Sequence, residues 1–277
     1  MLLNIGFILT YRCDKACNYC KLPKVSLDPV GVHLRFLERV LDDLPKPMRI
    51  EISGGEPGMV TNINDVLNII DSSSKVLQID ILSNGRIRNH AQLNKIKKLA
   101  RYKEHVNVED IGKNYDETLP FEYIVVLEDK IMNIDITPYL AYPVEWKFIT
   151  PKVDYPTDEY VEKAINFYKQ FDPAKTHPFT INKNKYHLEK TIHQYVLGNK
   201  ADAHRVCCAH LPERMFIEFP TQTIGHCSMN VCESSKHPYS KQTLWKALTG
   251  LLFSKENHCE NCYKYNVQYT YEHLFKI

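Results

Sequence analysis

The sequence predicts an α/β fold, a partial (β/α)6 barrel followed by a small cysteine-rich C-terminal α+β domain. Three observations predict it. Apolar runs of strand length alternate with amphipathic stretches through residue 171, the order that builds a mainly parallel sheet with ligands at the carboxyl ends of its strands. The 277 residues disfavour a full eight-unit barrel, which takes about 250 residues before additions. The nine cysteines form two groups: Cys13, Cys17 and Cys20 stand near the start, and Cys207, Cys208, Cys227, Cys232, Cys259 and Cys262 fill the last quarter.

Residues 2–9 are apolar and read as a buried strand. A cysteine loop follows, and then Val32–Leu41, with apolar residues at helical spacing. Met48–Ser53 is a second strand and Asn64–Ile70 a helix with Val66, Leu67, Ile69 and Ile70 as its apolar positions. Val76–Leu82 is a third strand. Ala91–Tyr102 reads as an amphipathic helix with Leu93, Ile96 and Leu99 on one face and Lys95, Lys97 and Lys98 on a solvated one. His105–Glu109, Phe121–Leu127 and Val144–Ile149 complete six strands, and a helix from about Thr157 to Phe171 follows. Pro173, Pro178 and the polar run Asn182–Lys185 place a boundary near residues 173–185. The expected domains are therefore 1–180 and 181–277. Within the second, Tyr186–Leu197 reads as a helix, Met215–Phe219 and Thr223–Cys227 as a hairpin, and Gln242–Leu252 as another helix.

Hydrophobic residues make up 44% of the chain and charged ones 25%, an ordinary globular composition that excludes disorder and fibrous repeats. The formal charge of +2 supplies no general attraction to nucleic acid or to a membrane surface. The apolar start lacks a basic leader and a cleavage site, and no window approaches the roughly 18 to 20 residues of a membrane span. A cytoplasmic protein that neither enters membranes nor binds nucleic acid directly is expected. An odd number of cysteines in such a chain favours metal or redox chemistry over a disulfide framework.

Cys13-Asp-Lys-Ala-Cys17-Asn-Tyr-Cys20 is a C-x3-C-x2-C loop. Thiolates are soft anionic ligands, and this spacing lets one loop wrap one iron–sulfur cluster. Three ligands leave one iron of a four-iron four-sulfur cluster open, as catalytic zinc sites leave a position open and structural ones do not. A zinc loop with Asp14 or a remote histidine as fourth ligand is the alternative. Ser53-Gly54-Gly55-Glu56-Pro57 ends the second strand, where glycines permit close backbone approach. Ser83-Asn84-Gly85 ends the third.

With its aromatic Tyr19, the cysteine loop resembles the signature of the radical S-adenosylmethionine (radical SAM) superfamily, and Gly54–Pro57 is similar to that superfamily's Gly-Gly-Glu-Pro motif. The resemblance implies that Cys13, Cys17 and Cys20 hold a four-iron four-sulfur cluster. It also implies that the backbone and acid of Gly54, Gly55, Glu56 and Pro57 hold the methionine ammonium of S-adenosylmethionine, and that Tyr19, Ser83 and Asn84 lie beside the cofactor. Glu109 stands where relatives place a ribose contact, and a solvent-facing acid at a strand end is its alternative. Reductive cleavage of the cofactor to a 5′-deoxyadenosyl radical is the implied first step, with flavodoxin or ferredoxin as the reductant.

Late in the chain, a cysteine at 207 or 208, Gly225-His226-Cys227 and Cys259-Glu-Asn-Cys262 follow an order similar to the shortened SPASM domain called Twitch. That likeness implies a second four-iron cluster on Cys208 (or Cys207), Cys227, Cys259 and Cys262, with Cys232 spare. Zinc is the alternative, since it accepts the same four thiolates, or His210, His226 or His258 in place of one.

Peptide-modifying relatives often carry a leader-recognition domain ahead of the cluster motif, and only twelve residues precede Cys13. The expected substrate is therefore a small molecule, for example a 7-deazaguanine base in the manner of queuine lyase. A maturase acting on a ribosomal peptide is the second reading, and a non-catalytic iron–sulfur or zinc sensing module the third.

Overall fold

The computed structural model describes residues 4–15, 17, 20, 31–127, 134–148, 157–198, 215–225 and 236–248. Tyr19 and all six late cysteines lie outside the described residues. The contacts divide the chain into two compact units: the described parts of Met1–Lys103, Thr118–Pro120 and Cys207–Cys259, and those of Glu104–Glu117 and Phe121–Val206.

In the first unit, strand β1 (Asn4–Ile8) is followed by helix α1 (Leu34–Asp43), β2 (Met48–Ser53), α2 (Ile63–Ser72) and β3 (Val76–Ser83), and the chain leaves the unit within β4 (Leu99–His105). Strand β1 pairs parallel with β2, and β2 parallel with β3. Met48, Ile50 and Ile52 of β2 are fully buried while Arg49 and Glu51 between them are half-buried. This is the period of two expected where one face of a strand packs on helices. On the other face Asp80 is buried, and the Arg49 guanidinium lies 3.0 Å from its carboxylate. Phe36, Leu37, Val40 and Leu41 of α1 and Ile63, Val66, Leu67 and Ile70 of α2 supply the helical side of the core. The cap of α1 is the His33 ring, whose Nδ1 accepts from the Phe36 amide at 3.3 Å.

Residues 91–98 do not form the expected helix. A 3-10 turn at Leu93–Lys95 leads directly into β4. The amides of Lys97 and Lys98 donate to the Asp71 carboxylate at 3.2 Å and 2.8 Å, and the Lys98 ammonium donates to the Ser73 carbonyl at 2.6 Å. Backbone donors committed to the end of α2 are lost to a helical ladder. From Leu99 onward the burial alternates as in a strand, with Tyr102 and Glu104 buried between half-buried Arg101, Lys103 and His105. The fourth strand is thus displaced toward the N-terminus, and Glu109 falls in a 3-10 turn at Val108–Asp110 rather than in a strand.

In the second unit, β5 (Phe121–Leu127) pairs parallel with β6 (Val144–Phe148), and α3 (Asp158–Tyr168) and α4 (Pro178–Gly198) follow. The expected boundary at 180/181 falls inside α4, which packs on β6 and α3. Pro178 opens that helix, where its missing N–H costs nothing. Polar residues at helical spacing then serve as a packing face. The Thr180 hydroxyl accepts from the Val144 amide and donates to the Tyr142 carbonyl, both at 2.8 Å. Buried Asn184 donates to the Thr180 carbonyl at 2.6 Å, and His187 meets Glu145 at 3.0 Å.

Strand β7 (Met215–Glu218) returns to the first unit and pairs parallel with β1 on the edge opposite β2. Gly6 makes room for it, since a Cβ there would lie 2.2 Å from the Phe216 ring. The expected hairpin is present: β8 (Thr223–Gly225) runs antiparallel to β7, and β9 (His237–Pro238) antiparallel to β8. Helix α5 (Lys241–Leu248) buries Leu244 and Ala247, packs on α1, and begins beside Tyr239, whose ring meets Phe36 edge-on. Strands β7 to β9 therefore extend the sheet of the first unit. The apolar edge of β1 is the reason, because a strand with both faces buried needs a neighbour on each side. No helix among the described residues is long and apolar enough to cross a membrane.

Candidate active site

Three of the sequence motifs meet at the carboxyl ends of β1, β2 and β3. The cysteine loop leaves β1, Gly54–Pro57 leaves β2, and Ser83–Gly85 leaves β3. In parallel sheets this edge is where ligands bind.

The two glycines act first on the cysteine loop. Gly54 holds φ at +120°, a conformation L side chains rarely adopt, and a Cβ on it would lie 2.6 Å from the Thr10 carbonyl oxygen. A Cβ on Gly55 would stand 2.1 Å from the Arg12 carbonyl oxygen and 2.8 Å from the carbonyl carbon of Tyr11. The backbones approach this closely because they are bonded: the amides of Gly55 and Glu56 donate to the carbonyls of Thr10 and Arg12, each at 2.7 Å. The chain is therefore clamped one residue before Cys13. Gly55→Ala is expected to destabilise the fold by about 1–3 kcal/mol, because backbone and not a flexible side chain would have to yield. Thermal unfolding, together with reduced iron uptake after reconstitution, checks this.

Glu56 joins the second motif to the third. Its side chain is 0% exposed. The carboxylate accepts from the Gly58 amide at 2.7 Å, from the Ser83 hydroxyl at 2.9 Å to both oxygens, and from the Asn84 amide at 2.6 Å. Burial pushes its pKa above the ordinary carboxyl value, and these hydrogen bonds oppose the rise without cancelling it. Ser83 is buried and its hydroxyl is spent on Glu56. Pro57 is buried at the start of a 3-10 turn that Glu56 caps.

Asn84 faces the other way. Its side-chain amide donates to Asp14 at 2.7 Å and lies 3.7 Å from the Cys13 sulfur. The Arg86 guanidinium reaches the same Asp14 carboxylate at 3.3 Å. Partial burial works to raise the pKa of Asp14, but the bonds from Asn84 and Arg86 outweigh it and hold the carboxyl below its usual range. Desolvation raises the Cys13 thiol, as do the charges of Asp14 and Glu56, against one backbone bond from Lys15.

Cys13 is exposed, Cys17 and Cys20 are half-buried, and none is in a disulfide. The Cys20 amide closes a turn on the Cys17 carbonyl at 3.1 Å. Three free, accessible thiols on one loop are a fitting donor set for an iron–sulfur cluster. Among the described residues no three His, Cys, Asp or Glu side chains converge as a preformed metal site, so metal uptake would gather the thiols and displace their protons.

Thr10, Arg12 and Arg86 take part in this arrangement and were not singled out in the sequence. Arg86 follows directly on Ser83-Asn84-Gly85, the one signal that could have found it. Glu109 is exposed and belongs to the second unit.

Among solved structures, the chain matches anSMEcpe with bound AdoMet at a TM-score of 0.55 and 11% identity, over 96% of this chain and 84% of that one. It matches Streptococcus suis SuiB at 0.56 and 13%, over 92% and 66%. The chain shares the α/β fold of these structures. SuiB bound to the precursor peptide SuiA matches at 0.50 and 14%, over 96% and 70%. No protein-family model matches the sequence, and no curated protein does.

Proposed function

We propose that this protein is a radical SAM enzyme that cleaves S-adenosylmethionine reductively. The observation that carries the reading is the interlock of the Cys13 loop, Gly54–Pro57 and Ser83–Asn84 at one strand edge. Cys13, Cys17 and Cys20 would hold a four-iron four-sulfur cluster, whose chemistry when loaded is the cleavage of S-adenosylmethionine to methionine and a 5′-deoxyadenosyl radical. Gly55 and Glu56 hold the loop through their amides, and Asn84 places a hydrogen-bond donor beside Cys13. The carboxylate of Glu56 holds Ser83, Asn84 and Gly58 in register. We assign the methionine ammonium contact expected of this motif to the backbone of Gly54–Pro57, since the Glu56 side chain already accepts from three donors, the Gly58 and Asn84 amides and the Ser83 hydroxyl. Tyr19 and Glu109 are the proposed further cofactor contacts, and flavodoxin or ferredoxin the proposed reductant.

A polypeptide is the substrate class we favour over a small molecule. Supporting this are two similar structures described with peptides bound, SuiB with SuiA and anSMEcpe with the Cp18Cys peptide, the latter at a TM-score of 0.53. The 7-deazaguanine reading has no such support. For the late cysteines we retain a second four-iron cluster on Cys208, Cys227, Cys259 and Cys262.

Anaerobic reconstitution followed by dithionite and S-adenosylmethionine tests the central reading. Formation of 5′-deoxyadenosine is expected, and its absence from iron-loaded protein sinks the enzyme reading. Two clusters predict about eight iron atoms per chain; about four iron with one zinc would replace the second cluster by a zinc site.

A further inference from the structure

The chain entering the cysteine loop is held from two sides, and the motifs account for only one. On that side Gly55 and Glu56 bind the carbonyls of Thr10 and Arg12. On the other, the buried Tyr11 side chain donates its hydroxyl to the Glu218 carboxylate at the end of β7. Glu218 is 2% exposed. The oxygen that accepts the Tyr11 hydrogen bond also meets the Lys236 ammonium at 2.9 Å and the hydroxyls of Thr221 and Thr223 at 3.3 Å and 3.4 Å. The Lys236 nitrogen stands 6.0 Å from the centroid of the Tyr11 ring. The register puts Glu218 opposite Ile8, and the Phe219 amide donates to the Ile8 carbonyl at 2.9 Å, so this carboxylate is fixed against the last turn of chain before the cysteines.

A buried ion pair is a poor device for stability alone, because apolar residues of equal volume often do as well. What the pair supplies is direction. A hydroxyl bound to a fixed carboxylate sets the ring of Tyr11 and the height of the backbone it hangs from, which packing by a phenylalanine would leave free to slide.

We propose that Glu218 and Tyr11 are positioning residues for the iron–sulfur loop, fixing the chain two residues ahead of Cys13 and tying the cluster ligands to the β7–β8 hairpin. The proposal rests on the reading of Cys13, Cys17 and Cys20 as cluster ligands. It gives the late part of the chain a role at the first cluster that is independent of any metal of its own.

Tyr11→Phe is the test, because it removes one hydroxyl and keeps the ring. The metal-free variant is expected to melt within about 4 °C of wild type, a small shift for a chain of this size. Amide hydrogen exchange at Gly55 and Glu56 should nevertheless rise at least about tenfold, the mark of a loosened clamp. The reduced cluster, without S-adenosylmethionine, should give an altered electron paramagnetic resonance line shape. Wild-type behaviour in either the exchange or the line shape overturns the proposal. Glu218→Gln should reproduce both changes if it folds, and combining it with Tyr11→Phe should add little to either; full additivity overturns the proposal too. Wild-type protein that holds iron but forms no 5′-deoxyadenosine sinks the activity reading and leaves both measurements in force, whereas a wild-type chain that takes up no iron sinks both.

Discussion

Replacing Cys17 with alanine is expected to abolish iron uptake at the N-terminal loop and to lower 5′-deoxyadenosine formation by at least about a hundredfold, while the fold survives. The loss follows from ligand number. Three thiolates are the fewest that hold a four-iron cluster with one iron open, and changes to outer-shell partners alone already cost up to about a hundredfold. The survival follows from the local geometry. The turn at Cys17–Cys20 is closed by the Cys17 carbonyl, which alanine keeps. The clamp of Gly55 and Glu56 on Thr10 and Arg12 lies outside the substitution. Iron analysis, product formation and thermal unfolding measured on one preparation check the prediction. Wild-type iron content at the first cluster would return Cys17 to a bystander.

Glu56→Ala is expected to damage the site and the fold together, destabilising the protein by about 3–5 kcal/mol, the scale for breaking a buried charged network. Without the carboxylate, the Gly58 amide, the Asn84 amide and the Ser83 hydroxyl lose their acceptor in the interior, and each buried donor left unpaired costs about 1–3 kcal/mol. The effects are not simply additive, since the strand ends can relax together. Glutamine does not rescue. One carboxylate oxygen accepts from the Gly58 amide and the other from the Asn84 amide. Whichever way a glutamine amide is turned, its NH2 faces a backbone N–H. Glu56→Gln should therefore fall near the alanine variant in denaturant midpoint, and a midpoint near wild type would show that the network is dispensable. Asn84 carries the damage to the cysteine loop, since its side chain bonds Asp14 and approaches Cys13.

Both predictions start from residues that stand out in the sequence, yet the second needs the structure. Cys13, Cys17 and Cys20, Gly54–Pro57 and Ser83–Asn84 are legible because their chemistry is carried by residue type and short spacing, which survive without tertiary information. The strands β2, β5 and β6 are legible for a similar reason: Val, Ile, aromatic and alternating residues bury themselves locally. Residues 91–102 read as a helix because apolar spacing over Leu93, Ile96 and Leu99 imitates one, whereas a strand begins at Leu99. The deciding term is the Asp71 carboxylate, which takes the amides of Lys97 and Lys98 from another element. Thr180 and Asn184 look like linker residues until β6 supplies their partners.

The sequence by itself determined the donor set of the loop, the α/β class and the motifs at the strand ends, because these depend on which atoms a residue carries and on neighbours a few positions away. Only the tertiary structure decided that Glu56 faces inward to Ser83 and Asn84, that Gly55 and Glu56 clamp the cysteine loop, and that β7 returns to β1 and brings Glu218 to Tyr11. Those contacts join residues 27, 28, 44, 45 and 207 positions apart. Partners so distant are chosen by burial and by the need to pair every buried donor, and neither is written in local spacing.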